Sequence, residues 1–414
     1  MDVLTVIYLT YSFISLYFLF FFMMLYLPYR RQLNYVPPIT KKYQLTMIIS
    51  CYNEQDSIGG VIESIIKSDY DNIRKIIVVD DCSKDNSWKI IKEYAKKYDK
   101  VIAVQTPKNT GNAAGAKNFG SKFATTELIG FTDADSYPQL DAISKMIGHF
   151  DDTRVGAVTS MILVKNKNKF LEKVQAIEYK LIAFNRKLLG FVEGIYVTPG
   201  PLAIYRKSAF DKINGFDHKN LTEDIEITWH LVQAGYIIKM SSTARAYTIV
   251  PNKIKIWLKQ RIRWNIGGIQ TIFKYKSFFG TKKAGMLGLF ILPFFIFNWL
   301  LGLFGLGVLF YRVARTLFVK YLTTTYSVQS QVAVLTFNDI NLTPSILVFF
   351  GVATLIMNFF LVGIALLNAK EDHLKKDKML SIFFYIFFYL LTYPIILVTS
   401  FYKFITGKTG WMTK

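Results

Sequence analysis

Leu128-Ile129-Gly130-Phe131-Thr132-Asp133-Ala134-Asp135 is a short apolar run that stops at two carboxylates. A run of this length, apolar on both faces, fits a strand buried inside a parallel sheet. Three similar runs precede it, at residues 45–50, 75–79 and 101–105. Helical stretches lie between them, near residues 58–67, 88–97 and 113–124. This alternation predicts an α/β domain with a doubly wound parallel sheet. Such sheets take their ligands beyond the carboxyl ends of the strands. Those ends carry Asn53, Asp80-Asp81 and Asp133-Ala134-Asp135, so three polar clusters are expected at one edge.

Outside residues 44–250 the composition changes. Residues 3–27 form an unbroken apolar run, long enough for a membrane span at about twenty residues per crossing. No small-residue cleavage site follows it, so it reads as an anchor. Arg30-Arg31 then places its far end in the cytosol. Three more apolar segments lie at 286–310, 345–367 and 380–401. Pro394 in the last one could divide it into a re-entrant pair or an interfacial helix. The Thr/Ser/Gln-rich stretch 322–343 would face outward, and the basic stretch 370–378 would face the cytosol. Asn341-Leu342-Thr343 is a glycosylation sequon on the outer side, and Asn220-Leu221-Thr222 is discounted as cytosolic.

The net charge of +21 would suit a nucleic acid or an anionic membrane surface. The basic residues cluster beside the apolar segments, which assigns them to membrane lipids and argues against nucleic acid. Residues 251–283 are basic and aromatic, as one or two helices lying in the membrane interface would be. Cys51 and Cys82 are the only cysteines and read as two small thiols in a reducing compartment. The expected organisation is a transmembrane helix at 1–28, a linker at 29–43 and a cytosolic catalytic domain at 44–250. Interfacial helices at 251–283, transmembrane helices at 284–402 and a basic tail at 403–414 follow.

Four clusters could carry chemistry. Asp133 and Asp135 can share a hard divalent cation, although Ser136-Tyr137-Pro138 would also suit a helix cap. Asp80-Asp81 can bond a ribose or base, or serve only the turn that follows. Asp224 can act as a general base whose affinity for a proton is raised by Glu223, or both acids can simply favour a helix N-terminus. Arg263 can pair with a diphosphate, Trp264 offers a flat face for a sugar ring, and Gln260 can bond hydroxyls.

Taken in order, Cys51-Tyr52-Asn53-Glu54, Val79-Asp80-Asp81, Asp133-Ala134-Asp135, Thr222-Glu223-Asp224 and Gln260-Arg261-Ile262-Arg263-Trp264 resemble the family 2 inverting glycosyltransferases. The likeness is to their membrane-bound, processive branch, which includes poly-N-acetylglucosamine, hyaluronan, chitin and cellulose synthases. It implies a GT-A type nucleotide-sugar-binding domain on interfacial helices with a transmembrane bundle. It also implies a UDP-sugar donor, a Mg²⁺ or Mn²⁺ ion and a glycan acceptor in a plasma-membrane enzyme. Tyr52, Asn53 and Glu54 would then lie on the donor side, Asp80 or Asp81 on the uridine, and Asp133 on the nucleotide and metal. Asp135 would hold the metal, Asp224 would be the base beside Glu223, and Arg263 would hold the diphosphate. Gln260, Trp264 and Gly200, the last in Thr198-Pro199-Gly200-Pro201-Leu202, would face the acceptor.

The sequence departs from the family at two places. Cys82 replaces the glycine after the Asp pair, and Asn112 stands where a lysine follows Asn109-Thr110-Gly111. Lys108 or Lys117 would take over that lysine's phosphate contact. The motifs fit an N-acetylhexosamine donor and a polymer product. They equally fit a single addition to a lipid such as a ceramide or a polyprenyl phosphate, and they leave room for an accessory membrane subunit.

Overall fold

The computed structural model describes residues 3–330, 346–369 and 378–408. The sequon at Asn341, the basic stretch 370–377 and the tail from 409 lie outside the described residues. The chain begins with α1 (Val3–Tyr29) and then alternates β1 (Leu45–Cys51), α2 (Ile58–Ile66), β2 (Ile73–Asp80), α3 (Ser87–Lys97), β3 (Val101–Gln105), α4 (Ala113–Ser121) and β4 (Leu128–Asp133). After β5 (Ser136–Pro138) and α5 (Ser144–Ile147) come β6 (Val155–Val164), α6 (Phe170–Gly190), β7 (Ala203–Arg206) and α7 (Lys207–Lys212). The remaining elements are α8 (Glu223–Gln233), β8 (Ile237–Thr248), α9 (Ile254–Lys274), α10 (Leu292–Ser330), α11 (Ile346–Asn368) and α12 (Lys378–Ile405).

The eight strands form one sheet in the order β3-β2-β1-β4-β7-β6-β8-β5. The first four are parallel, as expected from their apolar, helix-separated sequences. Beyond β4 the sheet becomes mixed: β7 runs antiparallel to both β4 and β6, β6 and β8 are parallel, and β5 is antiparallel to β8. The second half thus departs from an all-parallel sheet. β1 alternates its faces, with Leu45, Met47, Ile49 and Cys51 packing on α2 and α5 while Ile48 packs toward α4. Register places Ser50 opposite Asp133 and Cys51 opposite Asp80, so both acidic motifs leave the sheet at one edge.

A third apolar core joins this domain to the apolar helices. It includes Phe22 of α1, Phe184 and Leu188 of α6, Trp229 of α8, Ile269 of α9, Trp299 of α10, Leu361 of α11 and Leu397 of α12. Four helical segments are long and apolar enough to cross a membrane: Val6–Tyr29, Leu287–Gly305, Phe349–Asn368 and Ile382–Ile405. α12 is continuous through Pro394, which sets aside the expected break there. Proline removes one backbone donor, and neighbouring turns carry the helix past it. α10 also runs on to Ser330, so the first residues of the Thr/Ser/Gln-rich stretch continue that helix. α9 is the single long helix of the basic, aromatic segment.

Candidate active site

The acidic motifs are held by parallel-strand ends and by the first turn of α8. Lys117 of α4 ties them together. It is 2% exposed, and its Nζ lies 3.1 Å from Asp133 Oδ1 and 3.1 Å from Glu223 Oε1. Burial opposes the charge on this ammonium, yet the two carboxylates outweigh burial and raise its pKa. Lys108, the other candidate for the missing lysine, is exposed on the loop after β3. Gly200 lies directly against Asp133: a Cβ there would stand 3.0 Å from the carboxyl carbon and closer still to Oδ2. Its loop is bound to α8, because Thr198 N–H donates to Asp224 O at 3.3 Å and Thr198 Oγ1 shares a hydrogen bond of 3.0 Å with Thr228 Oγ1.

Glu223 and Asp224 are adjacent acids in opposite electrostatic settings. Burial would raise the pKa of Glu223, but Lys117 and Arg263 outweigh it and hold the pKa below the usual range. Asp224 is pushed up to about 7, first by burial and second by the negative charge of Glu223. The reading from sequence identified the second cause but not the larger one. Two neighbouring carboxyls with separated proton affinities are the arrangement that lets one of them titrate near neutrality. Arg263 Nη1 also donates to Leu221 O at 3.0 Å, which fixes α9 against the loop before α8. Gly267 completes that approach, since a Cβ there would collide with Thr222.

The Asp pair divides its work. Asp81 is 4% exposed and accepts from Thr106 Oγ1 at 2.7 Å, Thr110 N–H at 2.9 Å and Thr110 Oγ1 at 2.9 Å. Its carboxylate therefore orders the loop after β3. Asp80 Oδ2 accepts from Gln105 Nε2 at 2.8 Å and from Ser83 N–H at 3.2 Å. Its buried Oδ1 has no hydrogen-bond partner among the described residues. Tyr52 is exposed at the same edge, and the backbone amides of Asn53 and Glu54 donate to Ser83 Oγ and Ser87 Oγ, both at 2.9 Å. Cys82 sits at φ +60°, the left-handed conformation that glycine adopts freely, at the position where the resemblance implies glycine. Cys51 and Cys82 are both free thiols, and burial pushes Cys51 up to about 12.

Asp135 Oδ1 accepts from Ser136 Oγ at 2.9 Å, and Asp133 is the carboxylate already paired with Lys117. Among the described residues, no group of three or more His, Cys, Asp or Glu side chains converges on a metal position. A two-carboxylate donor set fits Mg²⁺ or Mn²⁺ completed by phosphate oxygens and water, and does not fit an all-protein cage. On α9, Gln260 Oε1 accepts from Arg261 Nη1 at 2.7 Å, and the Arg261 guanidinium lies 4.1 Å from the Trp264 ring centre. The sequon residue Asn220 is buried and donates to Thr271 Oγ1 at 2.9 Å.

Residues 46–214 match the glycosyl transferase family 2 profile. The chain carries a glycosyl transferase family 2 domain. Outside that domain, α8 brings Glu223 and Asp224 back to its acidic edge. The chain is 32% identical over 252 residues to the poly-beta-1,6-N-acetyl-D-glucosamine synthase of Staphylococcus aureus strain MSSA476. It is 32% identical over 253 residues to the synthase of the same name from Staphylococcus epidermidis. Each match spans 60% of this chain and 60% of the relative. Among solved structures, the mannosyltransferase PcManGT from Pyrobaculum calidifontis, in complex with GDP-Man and Mn²⁺, has a TM-score of 0.60. That likeness covers 96% of this chain and 98% of the other at 18% identity, so it speaks for the fold, apolar helices included.

Two contributors were not assigned from sequence. In sequence Lys117 reads only as a stand-in for a phosphate-binding lysine, because its bridge to two carboxylates depends on a partner 106 residues away. Glu178, which pairs with Arg261, carried no signal, because one acid in an amphipathic helix reads as surface.

Proposed function

We propose that this chain is a membrane-embedded, inverting β-glycosyltransferase that extends a polysaccharide with sugar from a UDP-N-acetylhexosamine. The single observation that carries the reading is Asp224, placed beside Glu223, Lys117 and Asp133 at the sheet's acidic edge with its carboxyl pushed up to about 7. The relatives named as N-acetylglucosamine polymer synthases support UDP-N-acetylglucosamine as the donor. The four apolar segments support a membrane setting. In this reading the family 2 domain lies at the cytosolic face of the plasma membrane and the product passes outward.

In the proposed reaction an acceptor hydroxyl attacks the anomeric carbon of the donor. The new carbon–oxygen bond forms as the bond to the β-phosphate oxygen breaks, and configuration inverts. Asp224 takes the hydroxyl proton, and UDP leaves with both electrons of the broken bond. Arg263 opposes the charge of the diphosphate, while Gln260 and Trp264 orient the acceptor sugar. Asp80 serves the uridine side and Asp133 the nucleotide. A Mg²⁺ or Mn²⁺ ion held by Asp135 and Asp133 would neutralise charge on the leaving diphosphate. One displacement requires one base, unlike the two-carboxylate glycosidases.

The test is UDP release from a panel of UDP-sugars by protein in nanodiscs, with Asp224→Asn beside it. Release from UDP-N-acetylglucosamine with a high-molecular-weight product, both lost in the variant, is expected. A singly glycosylated, extractable lipid would replace the polymer reading with a lipid acceptor. No release from any donor would remove the enzymatic reading.

A further inference from the structure

Arg261 lies on the inward face of α9, between Gln260 and Trp264, and is 4% exposed. Glu178 of α6, 6% exposed, faces it. Arg261 Nε donates to Glu178 Oε1 at 3.0 Å, and Nη2 donates to Oε2, which makes a two-pronged pair. The third nitrogen, Nη1, donates to Gln260 Oε1 at 2.7 Å. The guanidinium carbon Cζ also lies over two indoles, 4.1 Å from the Trp264 centroid and 5.5 Å from the Trp257 centroid. Tyr179, the residue after Glu178, packs on Trp264 with centroids 6.4 Å apart. Trp257 is fully buried against Phe388 and Tyr389 of α12.

A buried ion pair contributes little net stability over apolar packing of the same volume, because desolvation offsets its attraction. What this pair does supply is geometry. Glu178 fixes the guanidinium fork, and the fork in turn fixes the Gln260 amide and one face of the Trp264 indole. Lysine would keep the charge and lose the second prong, the stack and the bond to Gln260.

We infer that Glu178 and Arg261 are positioning residues, a buried platform that holds Gln260 and Trp264 in the pose that receives the acceptor sugar. A sugar ring stacks on the Trp264 face opposite Arg261. The platform sets acceptor affinity and product length and leaves donor binding untouched. It rests on the reading of Gln260 and Trp264 as acceptor-side groups.

The experiment uses the full chain in nanodiscs with UDP-N-acetylglucosamine, Mg²⁺ and an N-acetylglucosamine oligosaccharide as acceptor. Arg261→Lys and Glu178→Gln are expected to raise KM for the oligosaccharide about tenfold, the size of one lost hydrogen bond to an ordered group. Products should shorten, while KM for UDP-N-acetylglucosamine and UDP release without acceptor stay at wild-type values. Arg261→Lys combined with Trp264→Ala should lose less than the sum of the two single losses, since Arg261 acts in part through Trp264. UDP binding by calorimetry reports the fold. If Arg261→Lys no longer binds UDP, Glu178→Gln, which keeps the pair's shape, tests the same claim. An unchanged acceptor KM, a parallel rise in donor KM, or additive losses in the double variant would overturn the platform. Wild-type protein that transfers from no UDP-sugar, or makes only a singly glycosylated lipid, removes the polymer reading and the platform together. The wild-type control alone reveals that result.

Discussion

Lys117 on α4 holds Glu223, the first residue of α8, through an Nζ–Oε1 contact of 3.1 Å between two buried side chains. The same nitrogen holds Asp133 at the end of β4. Two elements distant in sequence are thereby fixed relative to each other at the place where the proposed base sits. Replacing Lys117 with Met should strand both carboxylates. Breaking a buried pair from one side costs about 3–5 kcal/mol. Thermal unfolding in detergent should show this loss, and Lys117→Arg should recover part of it.

The pH dependence follows from Asp224. A base must be ionised, and this carboxyl is pushed up to about 7, so kcat/KM should rise as pH climbs through about 7 and level off above it. Glu223→Gln removes a neighbouring negative charge and should move this limb to lower pH. Lys117→Met removes a positive charge and should move it higher. UDP release measured across a pH series checks all three profiles.

Asp224 also carries a stability cost. Its folded pKa lies above the ordinary value of 3.8, so its favourable contribution is complete below that value and is lost as pH rises through about 7. Asp224→Asn removes the ionised, half-buried carboxylate. The variant should melt at a higher temperature than wild type above neutral pH, with no gain in acid, while turnover disappears. Equal melting temperatures at both pH values would count against the burial argument.

Gly200→Ala tests the close approach of the Thr198–Leu202 loop to Asp133. The new Cβ would press on the Asp133 carboxylate, 3.0 Å from its carboxyl carbon, and displace it from Lys117. A loss approaching roughly a hundredfold in kcat/KM is expected, the effect of misplacing a positioning group by about 1 Å. The far-ultraviolet circular dichroism should be unchanged.

Chelation should abolish transfer, and Mg²⁺ or Mn²⁺ should restore it. Asp135→Asn should raise the metal concentration needed for half-maximal activity by roughly tenfold or more. A variant that keeps the wild-type metal titration would place the cation elsewhere.

The first four strands were legible because buried parallel strands need continuous apolar runs, and their ends were legible because acidic residues interrupt those runs. Residues 136–250 were harder. β6 is buried along its whole length and pairs with β7 and β8, partners that local pattern does not name. β8 mixes Ser, Thr, Lys and Arg with apolar residues over 12 positions and so lacks a clean period. Pro394 left a break in the last apolar segment open for a related reason, since a proline lowers helix propensity without forbidding a helix that is otherwise well supported.

By itself, the sequence determined the membrane-length apolar segments, the parallel half of the sheet and the order of the acidic motifs. Each of these is written in residues close together in the chain. Tertiary structure alone decided that Asp81 is spent on Thr106 and Thr110, that Lys117 bridges Asp133 and Glu223, and that Asp224 rather than Glu223 is left to titrate near neutrality. Charge energies depend on burial and on distances of a few ångströms. Those distances exist only once α4, β4, α8 and α9 have packed together.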